Sequence, residues 1–240
     1  TSIPASRGTI YDVNGDVLAQ NVSSYTLIAY LDPKRSENQK KLYHVEDKVT
    51  TAEKLSTVID MKKEDILSIL NQEGLYQVEF GYAGKNLTEM EKEKIEALSL
   101  PGIDFIENEK RYYPNGDFAS YTIGYAKKNE NGIITGELGI EALLNSALKG
   151  VDGEITYQKD RDGYKIAGTN ELRVDAKNGD DIYLTIDSNI ELFVEQALRE
   201  NFSKYPSEWA VAVVADAKTG KILAASQKPS YDPNVLNIEN

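Results

Sequence analysis

The chain has 240 residues, no cysteine, and 39 acidic against 27 basic side chains, which gives a formal net charge of −12. A chain of this length can bury a core without disulfides or a structural metal, as one large domain or two small ones. The acidic balance argues against nucleic-acid binding, which depends on clustered lysine and arginine. No apolar run approaches the roughly 18 residues that span a bilayer, so no membrane contact is expected from these residues themselves.

The opening of the chain predicts β structure. Residues 9–12 and 17–21 flank an Asn14-Gly15 turn, and Asn-Gly between two such segments is the strongest short-range signal for a β-hairpin. Residues 25–31 are rich in β-branched and aromatic side chains, which favours a third, separate strand.

A helical pattern follows. Apolar side chains recur at helical spacing in residues 52–59 and 63–72, which predicts two helices, and residues 75–80 have the composition of a strand. Thr88 and Glu91 have the spacing of a capping box, in which each side chain accepts a hydrogen bond from the other residue's backbone N–H. A third helix should therefore begin there.

The middle of the chain predicts an extended segment at residues 103–113 and an amphipathic helix at residues 137–149. The apolar face of that helix should contain Ile140, Leu143, Leu144, Ala147 and Leu148. Beyond it, residues 153–159 and 164–167 should be strands that flank a turn at residues 160–163.

The final part of the chain predicts a strand, a long helix and a hairpin. A strand at residues 182–186 leads to Asp187, whose carboxylate can cap a helix at about residues 188–204. The apolar face of this helix should contain Ile190, Phe193, Val194, Ala197, Leu198 and Phe202. Residues 209–215 and 221–226 should then form a hairpin.

Three segments of the chain carry motifs of glycine, arginine and glutamate. Motif 1 is Arg7-Gly8-Thr9-Ile10-Tyr11-Asp12 with Asn14-Gly15, motif 2 is Arg111-Tyr112-Tyr113-Pro114-Asn115-Gly116, and motif 3 consists of Gly136, Gly139 and Glu141 followed by Gly150 and Gly153. Together and in this order they resemble the pedestal, or dimerisation domain, of class B penicillin-binding proteins. The likeness is strongest to the division-site members of Gram-positive bacteria.

The end of the chain resembles the start of the transpeptidase domain of the same family. The segments that carry this likeness are Leu184-Thr185-Ile186-Asp187, Asp216 with Thr219-Gly220, and Pro229-Ser230-Tyr231-Asp232-Pro233-Asn234. One departure is Val13, where the family usually has arginine, so one ion pair that the resemblance implies lacks its cation here.

The resemblance implies an α+β fold with an elongated pedestal domain at residues 1–180, which includes a head-like insertion at about residues 32–105. Residues 181–240 would be the first strand, helix and hairpin of a truncated transpeptidase domain. Twelve motif residues are expected to have a structural role: Arg7, Gly8, Asp12, Gly15, Arg111, Pro114, Gly116, Gly136, Gly139, Glu141, Gly150 and Gly153.

The resemblance also implies a function. The fragment would be a non-catalytic part of a peptidoglycan D,D-transpeptidase, which positions the catalytic domain and contacts proteins of cell division and wall synthesis, such as a polymerase partner. The parent protein would be a serine-type enzyme that cross-links stem peptides, is acylated by β-lactams and belongs to a class linked to antibiotic resistance. It would face outward from the cell membrane, anchored by an N-terminal helix outside this chain. No cofactor or metal is expected.

Arg7 and Glu141 are charges in motifs that are otherwise structural. We hypothesise that they form an ion pair that ties the first hairpin to the helix at residues 137–149. A partly buried pair of this kind loses several kcal/mol when one partner alone is removed. The alternative is two separately solvated charges.

Three short patterns imitate the catalytic residues of this family: Ser146-Ala147-Leu148-Lys149, Ser36-Glu37-Asn38 and Lys218-Thr219-Gly220. We interpret all three as accidental, because serine and lysine are common and because the order along the chain differs from that of the family. Ser146 and Lys149 also lie away from the apolar face of their predicted helix. A lysine exposed there keeps its proton and cannot act as a base.

Other candidate sites and functions are weaker. His44 is the only histidine and is expected on the surface or in packing rather than at a metal. Residues 12–16 and 160–163 hint at calcium loops, but turn chemistry explains them better because both lack the glycine at the sixth position. The chain could also be an extracytoplasmic sensor or scaffold module, or a small hydrolase that uses Ser146. An unpaired edge of the final hairpin would favour homo-oligomers.

Overall fold

The computed structural model describes residues 2–129, 132–156 and 172–235. Their strands are, in chain order, β1 (Ser2–Ile3), β2 (Ile10–Tyr11), β3 (Val17–Tyr30), β4 (Gln77–Glu79), β5 (Ile103–Tyr112), β6 (Ala126–Lys128), β7 (Ile134–Gly136), β8 (Gly153–Thr156), β9 (Leu172–Val174), β10 (Ile182–Tyr183), β11 (Ala210–Ala215) and β12 (Ile222–Lys228). Their α-helices are α1 (Lys48–Leu55), α2 (Lys63–Leu70), α3 (Glu89–Ala97), α4 (Ser120–Ile123), α5 (Gly139–Leu143), α6 (Asn145–Leu148) and α7 (Ser188–Lys204). This mixture of helices and mainly antiparallel strands confirms the expected α+β class.

The chain divides into two compact units. The first unit is formed by Thr1–Asn21 together with Arg111–Asn240, and the second unit is formed by Val22–Lys110. Each unit has its own cluster of buried apolar side chains. The chain passes from one unit to the other within β3 and returns within β5.

Small sheets form the framework of the first unit. β1, β8 and β9 make a three-stranded antiparallel sheet. β2 pairs with β3 in the predicted hairpin and, on its other edge, with β10 in a parallel arrangement. The core beside these strands contains Ile10, Leu18, Ala19, Tyr113, Phe118, Ile123 and Leu148.

The end of the first unit consists of α7 packed against the β11–β12 hairpin. Both elements were predicted with these bounds or close to them. Asp187 caps α7 as expected, because its carboxylate accepts hydrogen bonds from the backbone N–H groups of Asn189 and Ile190.

The second unit packs three helices around strand β3. β3 pairs with β4 and with β5, and α3 begins at the predicted capping box of Thr88 and Glu91. Its core contains Leu27, Ala29, Ala52, Leu55, Ile66, Leu70, Phe80 and Ile95. α1 has the predicted length of eight residues but begins four residues earlier, at Lys48, where Asp47 caps it. α2 begins at Lys63 as predicted but ends two residues earlier, at Leu70.

The predicted separation of the second and third strands is wrong. Residues 17–30 form one continuous strand of 14 residues. Ser23 and Ser24 interrupt the apolar pattern in the sequence, but the strand is paired on both sides of them, with β2 before and with Leu87 and β4 after. A polar interruption therefore does not break a strand whose backbone remains paired.

The predicted helix at residues 137–149 is also wrong in one respect, because it is broken into α5 and α6. Leu144 has φ −104° and ψ 20°, which lies outside the helical region. Near this break the carbonyl oxygen of Glu141 accepts a hydrogen bond from the Arg7 guanidinium at 2.9 Å. The break changes which side chains are buried: Leu148 is fully buried, whereas Leu143, predicted on the apolar face, is 75% exposed.

Part of one prediction lies outside the described residues. β8 covers the start of the strand predicted at residues 153–159, while the rest of it, the turn at residues 160–163 and the strand at residues 164–167 fall in the range that is not described. Among the helices that are described, none combines the length and the apolar character needed to cross a bilayer.

Candidate functional site

A single buried carboxylate, that of Glu141, brings the three motifs together. Arg7 donates from Nε to Glu141 Oε2 at 2.8 Å, and its Nη2 lies 2.7 Å from the same oxygen. Arg111 donates from Nε to Glu141 Oε1 at 2.6 Å. The side chains of all three residues are at most 2% exposed. The hypothesised ion pair between Arg7 and Glu141 is confirmed, and Arg111 is a second partner that the sequence did not reveal.

The two guanidinium groups exceed the one carboxylate by a positive charge, and neutral oxygen atoms around them accept further hydrogen bonds. Arg7 Nη1 donates to Asn145 Oδ1 at 2.7 Å. Arg111 Nη1 donates to the Gly8 carbonyl oxygen at 2.8 Å. A buried cation needs such partners, because removing it from water without them costs several kcal/mol. Arg111 Nη2 has no hydrogen-bond partner within the described part of the chain.

Tyr113 of motif 2 completes this cluster. Its hydroxyl donates to Glu141 Oε1 at 3.3 Å and accepts from the backbone N–H of Ala126 at 2.8 Å. Burial, and then the negative charge of Glu141, raise the pKa of the Tyr113 hydroxyl well above its usual value. The phenol therefore stays protonated and acts as a donor. We call Arg7, Arg111, Tyr113 and Glu141 the Glu141 cluster.

Two glycines of motif 3 allow the backbone to approach this cluster. A Cβ atom on Gly136 would lie 1.9 Å from the Glu141 carbonyl oxygen, so no side chain fits there. Gly139 has φ +61°, and a Cβ atom on it would lie 2.6 Å from the backbone nitrogen of Gly124. Both positions need glycine because α5 lies directly against neighbouring backbone.

The other predicted motif residues lie elsewhere in the first unit. Gly8 faces the backbone of Asp180, and Gly150 and Gly153 face backbone atoms of residues 174–179. Gly116 faces the Asp232 carboxylate, and Gly15 lies in the β2–β3 turn. Pro114 is exposed and is not part of the Glu141 cluster.

Asp12 of motif 1 is fully buried and organises the β2–β3 turn. Its Oδ1 accepts from the backbone N–H groups of Asn14 and Asp16, both at 2.8 Å, and its Oδ2 accepts from that of Ser188 at 3.2 Å. Burial raises the pKa of the Asp12 carboxyl, but the hydrogen bonds from Ser188, Asp16 and Asn14 outweigh it and hold the pKa below its usual value. These contacts account for the aspartates that hinted at a calcium loop. The neighbouring Val13 is 49% exposed.

The three short patterns that resemble catalytic residues do not belong to the Glu141 cluster. Ser146 and Lys149 are both exposed, as predicted. Ser36 shares a hydrogen bond of 2.6 Å with Nδ1 of the half-buried His44, in the second unit. Thr219 donates to the Asp216 carboxylate at 2.8 Å within the tip of the β11–β12 hairpin.

A second buried charge cluster was missed by the sequence reasoning. The buried face of α7 contains Glu191 and Glu195, whereas Phe193, predicted on that face, is 71% exposed. Glu191 accepts from the Ser226 hydroxyl at 2.5 Å and from the Ala225 N–H at 2.6 Å. The hydrogen-bond donors of β12 therefore determine that α7 buries the face that contains Glu191 and Glu195. The spacing of four residues between the two glutamates was a signal, but a weak one, since such pairs are common on exposed helices.

The second cluster also contains Lys228, which is buried, and Asp117, whose side chain is 41% exposed at its edge. Lys228 Nζ lies 3.1 Å from Asp117 Oδ2 and 3.6 Å from Glu195 Oε2. The other oxygen of Glu195 accepts from the Ala119 N–H at 3.0 Å. Burial, and to a lesser extent the charge of Glu195, raise the pKa of Glu191. We call Asp117, Glu191, Glu195 and Lys228 the Lys228 cluster.

The fold and the Glu141 cluster together define an α+β protein in which a buried group of charged side chains holds distant chain segments together. Comparison with known proteins gives the family. Residues 2–184 match the family model described as "Penicillin-binding Protein dimerisation domain", so the chain belongs to the penicillin-binding protein family. The resemblance to class B penicillin-binding proteins drawn from the motifs is confirmed.

Curated relatives and solved structures extend this match. The chain is 30% identical over 227 residues to stage V sporulation protein D of Bacillus subtilis (strain 168), which covers 95% of this chain and 33% of that protein. It is 31% identical over 234 residues to the probable peptidoglycan D,D-transpeptidase PenA of Neisseria meningitidis serogroup A, which covers 97% of this chain and 38% of that protein. The crystal structure of penicillin-binding protein 2X from Streptococcus thermophilus matches with a TM-score of 0.69 and 36% identity, over 99% of this chain and 36% of that one. The chain therefore spans about a third of the length of these relatives.

Proposed function

We propose that this chain is the non-catalytic N-terminal part of a peptidoglycan D,D-transpeptidase and that it positions the catalytic domain. Residues 1–180 would be the pedestal, and residues 181–240 would be the first strand, helix and hairpin of the transpeptidase domain. The compact unit Val22–Lys110 would correspond to the head-like insertion expected at about residues 32–105.

One observation carries this proposal: the three motifs meet at the fully buried carboxylate of Glu141. Its two arginine partners lie 134 and 30 residues away in the sequence. The charged side chains of the cluster are withdrawn from water and bound by protein partners, and within the described part of the chain only Arg111 Nη2 of this cluster lacks a hydrogen bond. Its chemistry is suited to fixing three distant segments in one arrangement.

The proposal extends to location and partners. The longer protein would be anchored to the cell membrane by an N-terminal helix, face outward and act on peptidoglycan stem peptides. Its pedestal would contact proteins of cell division and wall synthesis, and the isolated chain would form homo-oligomers. The relatives named peptidoglycan D,D-transpeptidases support the class of reaction.

A labelling experiment with a fluorescent penicillin tests this function. The 240-residue chain should take no covalent label, whereas the longer protein that contains it should be labelled at a serine outside these residues. Labelling of the short chain that disappears in Ser146→Ala would instead support a small hydrolase. A longer protein that takes no label would support the sensor or scaffold module.

A further inference from the structure

Lys228 stands at the point where three parts of the first unit meet. Its ammonium group contacts Glu195 on α7, Asp117 in the segment after motif 2, and the Ser230 hydroxyl at 2.9 Å in the chain that follows β12. The Lys228 side chain is only 9% exposed. A lysine in such surroundings depends on its anionic partners, since an isolated buried ammonium is strongly unfavourable.

The residues that follow Lys228 are fastened to the same segment by further hydrogen bonds. Ser230 Oγ donates to Asp117 Oδ2 at 2.6 Å. The Asn234 amide pairs with both backbone groups of Tyr113, donating to its carbonyl oxygen at 2.9 Å and accepting from its N–H at 3.0 Å. The Asn234 amide thus makes the two hydrogen bonds that the backbone of a neighbouring strand would make with Tyr113. We call residues 228–235 the clasp segment.

Aromatic contacts hold the middle of the clasp segment. The Tyr231 ring meets the rings of Tyr121 and Tyr125 edge to face, with centroids 5.0 and 6.1 Å apart. The Tyr231 hydroxyl donates to the Ser120 carbonyl oxygen at 2.8 Å. Burial raises its pKa to about 12, so it remains a donor at neutral pH. The clasp segment therefore contacts residues 113–125 along its length.

We propose that Lys228 is a positioning residue, which fixes the clasp segment on residues 113–125 and thereby sets the path of the chain beyond it. This inference rests on the proposed function, in which that chain belongs to the transpeptidase domain. Tyr113 belongs to both the Glu141 cluster and the contacts of the clasp segment. Tyr113 thus connects the three motifs to the clasp segment, and Lys228 holds the clasp segment in place.

The effect of Lys228 should be measured in the longer protein as the second-order rate constant of acylation by a fluorescent penicillin. Lys228→Met should slow acylation by between about tenfold and about a hundredfold, since small displacements far from the chemistry have effects of this size. Lys228→Arg keeps the charge and should restore most of the rate. The control is Lys221→Met, an exposed lysine of the same hairpin, which should leave the rate unchanged.

A double variant separates positioning from mere neutralisation of Glu195. Lys228→Met with Glu195→Gln removes both charges, and glutamine can still accept from the Ala119 N–H. The melting temperature, which Lys228→Met alone should lower, should return toward the wild-type value in the double variant. Acylation should stay slow, because Asp117 and Ser230 still lack the Lys228 ammonium that both contact. Acylation at the wild-type rate in this double variant would overturn the proposal.

Hydrogen exchange on the 240-residue chain tests the contact without any appeal to enzyme activity. Lys228→Met should speed amide exchange at Tyr113 and Ala119 by about tenfold or more, because their acceptors loosen, with little change in the second unit. If penicillin does not label the wild-type longer protein, the proposed function is wrong. The exchange rates then test by themselves whether Lys228 fixes the clasp segment. Unchanged exchange at both amides would overturn it. If Lys228→Met does not fold, Lys228→Gln, which removes the charge but keeps a polar end, replaces it in both measurements.

Discussion

At the scale of single residues, two carboxylates with different surroundings show how burial and partners decide the state of a charge. Glu141 lies between two guanidinium groups and a phenol, so its negative charge is compensated. Glu191 has hydrogen-bond donors but shares its helix face with Glu195, and burial raises its pKa. Because the native pKa of Glu191 is raised, the contribution of this carboxyl to the stability of the native state should decrease as the pH rises.

Replacing Glu141 should destabilise the first unit strongly. Glutamine has nearly the same shape, but it leaves two buried guanidinium groups without a counter-charge and turns an N–H donor toward one of them. We expect Glu141→Gln to lower the free energy of unfolding by about 3–5 kcal/mol in urea titrations. The matched control is Glu137→Gln, an exposed glutamate in the same segment, which should change it by less than about 0.5 kcal/mol. Equal effects of the two variants would contradict the structural role of the cluster.

A double-mutant cycle of Arg7→Ala and Glu141→Ala isolates the pair itself. Residues in one charge network usually show coupling, and we expect about 1–3 kcal/mol here. The measurement is the free energy of unfolding of the wild type, both single variants and the double variant. Additive effects would mean that the two groups do not interact, despite their separation of 2.7 Å.

Glu191 gives a prediction for pH dependence. A carboxyl whose native pKa lies above its ordinary value of 4.5 binds more protons in the native state, so its contribution to stability is full below that value and decreases as the pH rises through the native pKa. Glu191→Gln cannot titrate. The stability of this variant relative to wild type should therefore increase between pH 4 and pH 7, as followed by urea unfolding. Glu200→Gln, on the exposed side of α7, is the control, and a difference that does not change with pH would refute the prediction.

At the scale of elements, capping and turn residues were dependable guides, whereas the predicted faces of α7 and of the helix at residues 137–149 were not. Asp187 and Thr88 cap α7 and α3 as their spacing predicted, because a cap needs only residues next to it in the sequence. The break between α5 and α6 and the carboxylate face of α7 came from side chains far away in the chain, Arg7 and Ser226 among them. Contacts of that kind leave no local pattern.

The approach of α5 to its neighbours gives a prediction at this scale. Gly136→Ala would place a Cβ atom 1.9 Å from the Glu141 carbonyl oxygen, and backbone cannot rotate away as a side chain can. We expect a loss of about 3 kcal/mol in the free energy of unfolding. Gly15→Ala is the control: its φ of +90° strains the backbone, but open space surrounds it, so the loss should be about 1 kcal/mol. A smaller loss at Gly136 than at Gly15 would contradict the close approach.

At the scale of the whole molecule, the chain builds two units that each bury their own core. In the second unit, residues near its two ends are adjacent: Ser23 donates to Glu107 at 3.3 Å, and Asn108 donates to Thr26 at 3.2 Å. A unit whose ends lie side by side can be cut from its chain with little loss of backbone pairing.

Residues 22–110 should therefore fold when expressed alone. We expect a single cooperative urea transition by circular dichroism, and a loss of about 2–5 kcal/mol in Leu27→Ala, whose side chain is fully buried. Leu75→Ala, at a half-exposed position, should have a much smaller effect and serves as the control. The absence of a cooperative transition would show that the core of this unit depends on the rest of the chain.

The sequence by itself determined what depends on neighbours along the chain: the β2–β3 hairpin, the caps of α3 and α7, the final hairpin, and the motifs that identify the family. It even suggested that Arg7 and Glu141 pair. Only the tertiary structure decided which charges would be buried together: Arg111 belongs to motif 2, but the sequence did not reveal its partner, and the sequence analysis singled out neither Glu195 nor Lys228. The physical reason is that the free energy of a buried charge is set by the atoms that surround it, and in this chain those atoms come from residues up to 176 positions away.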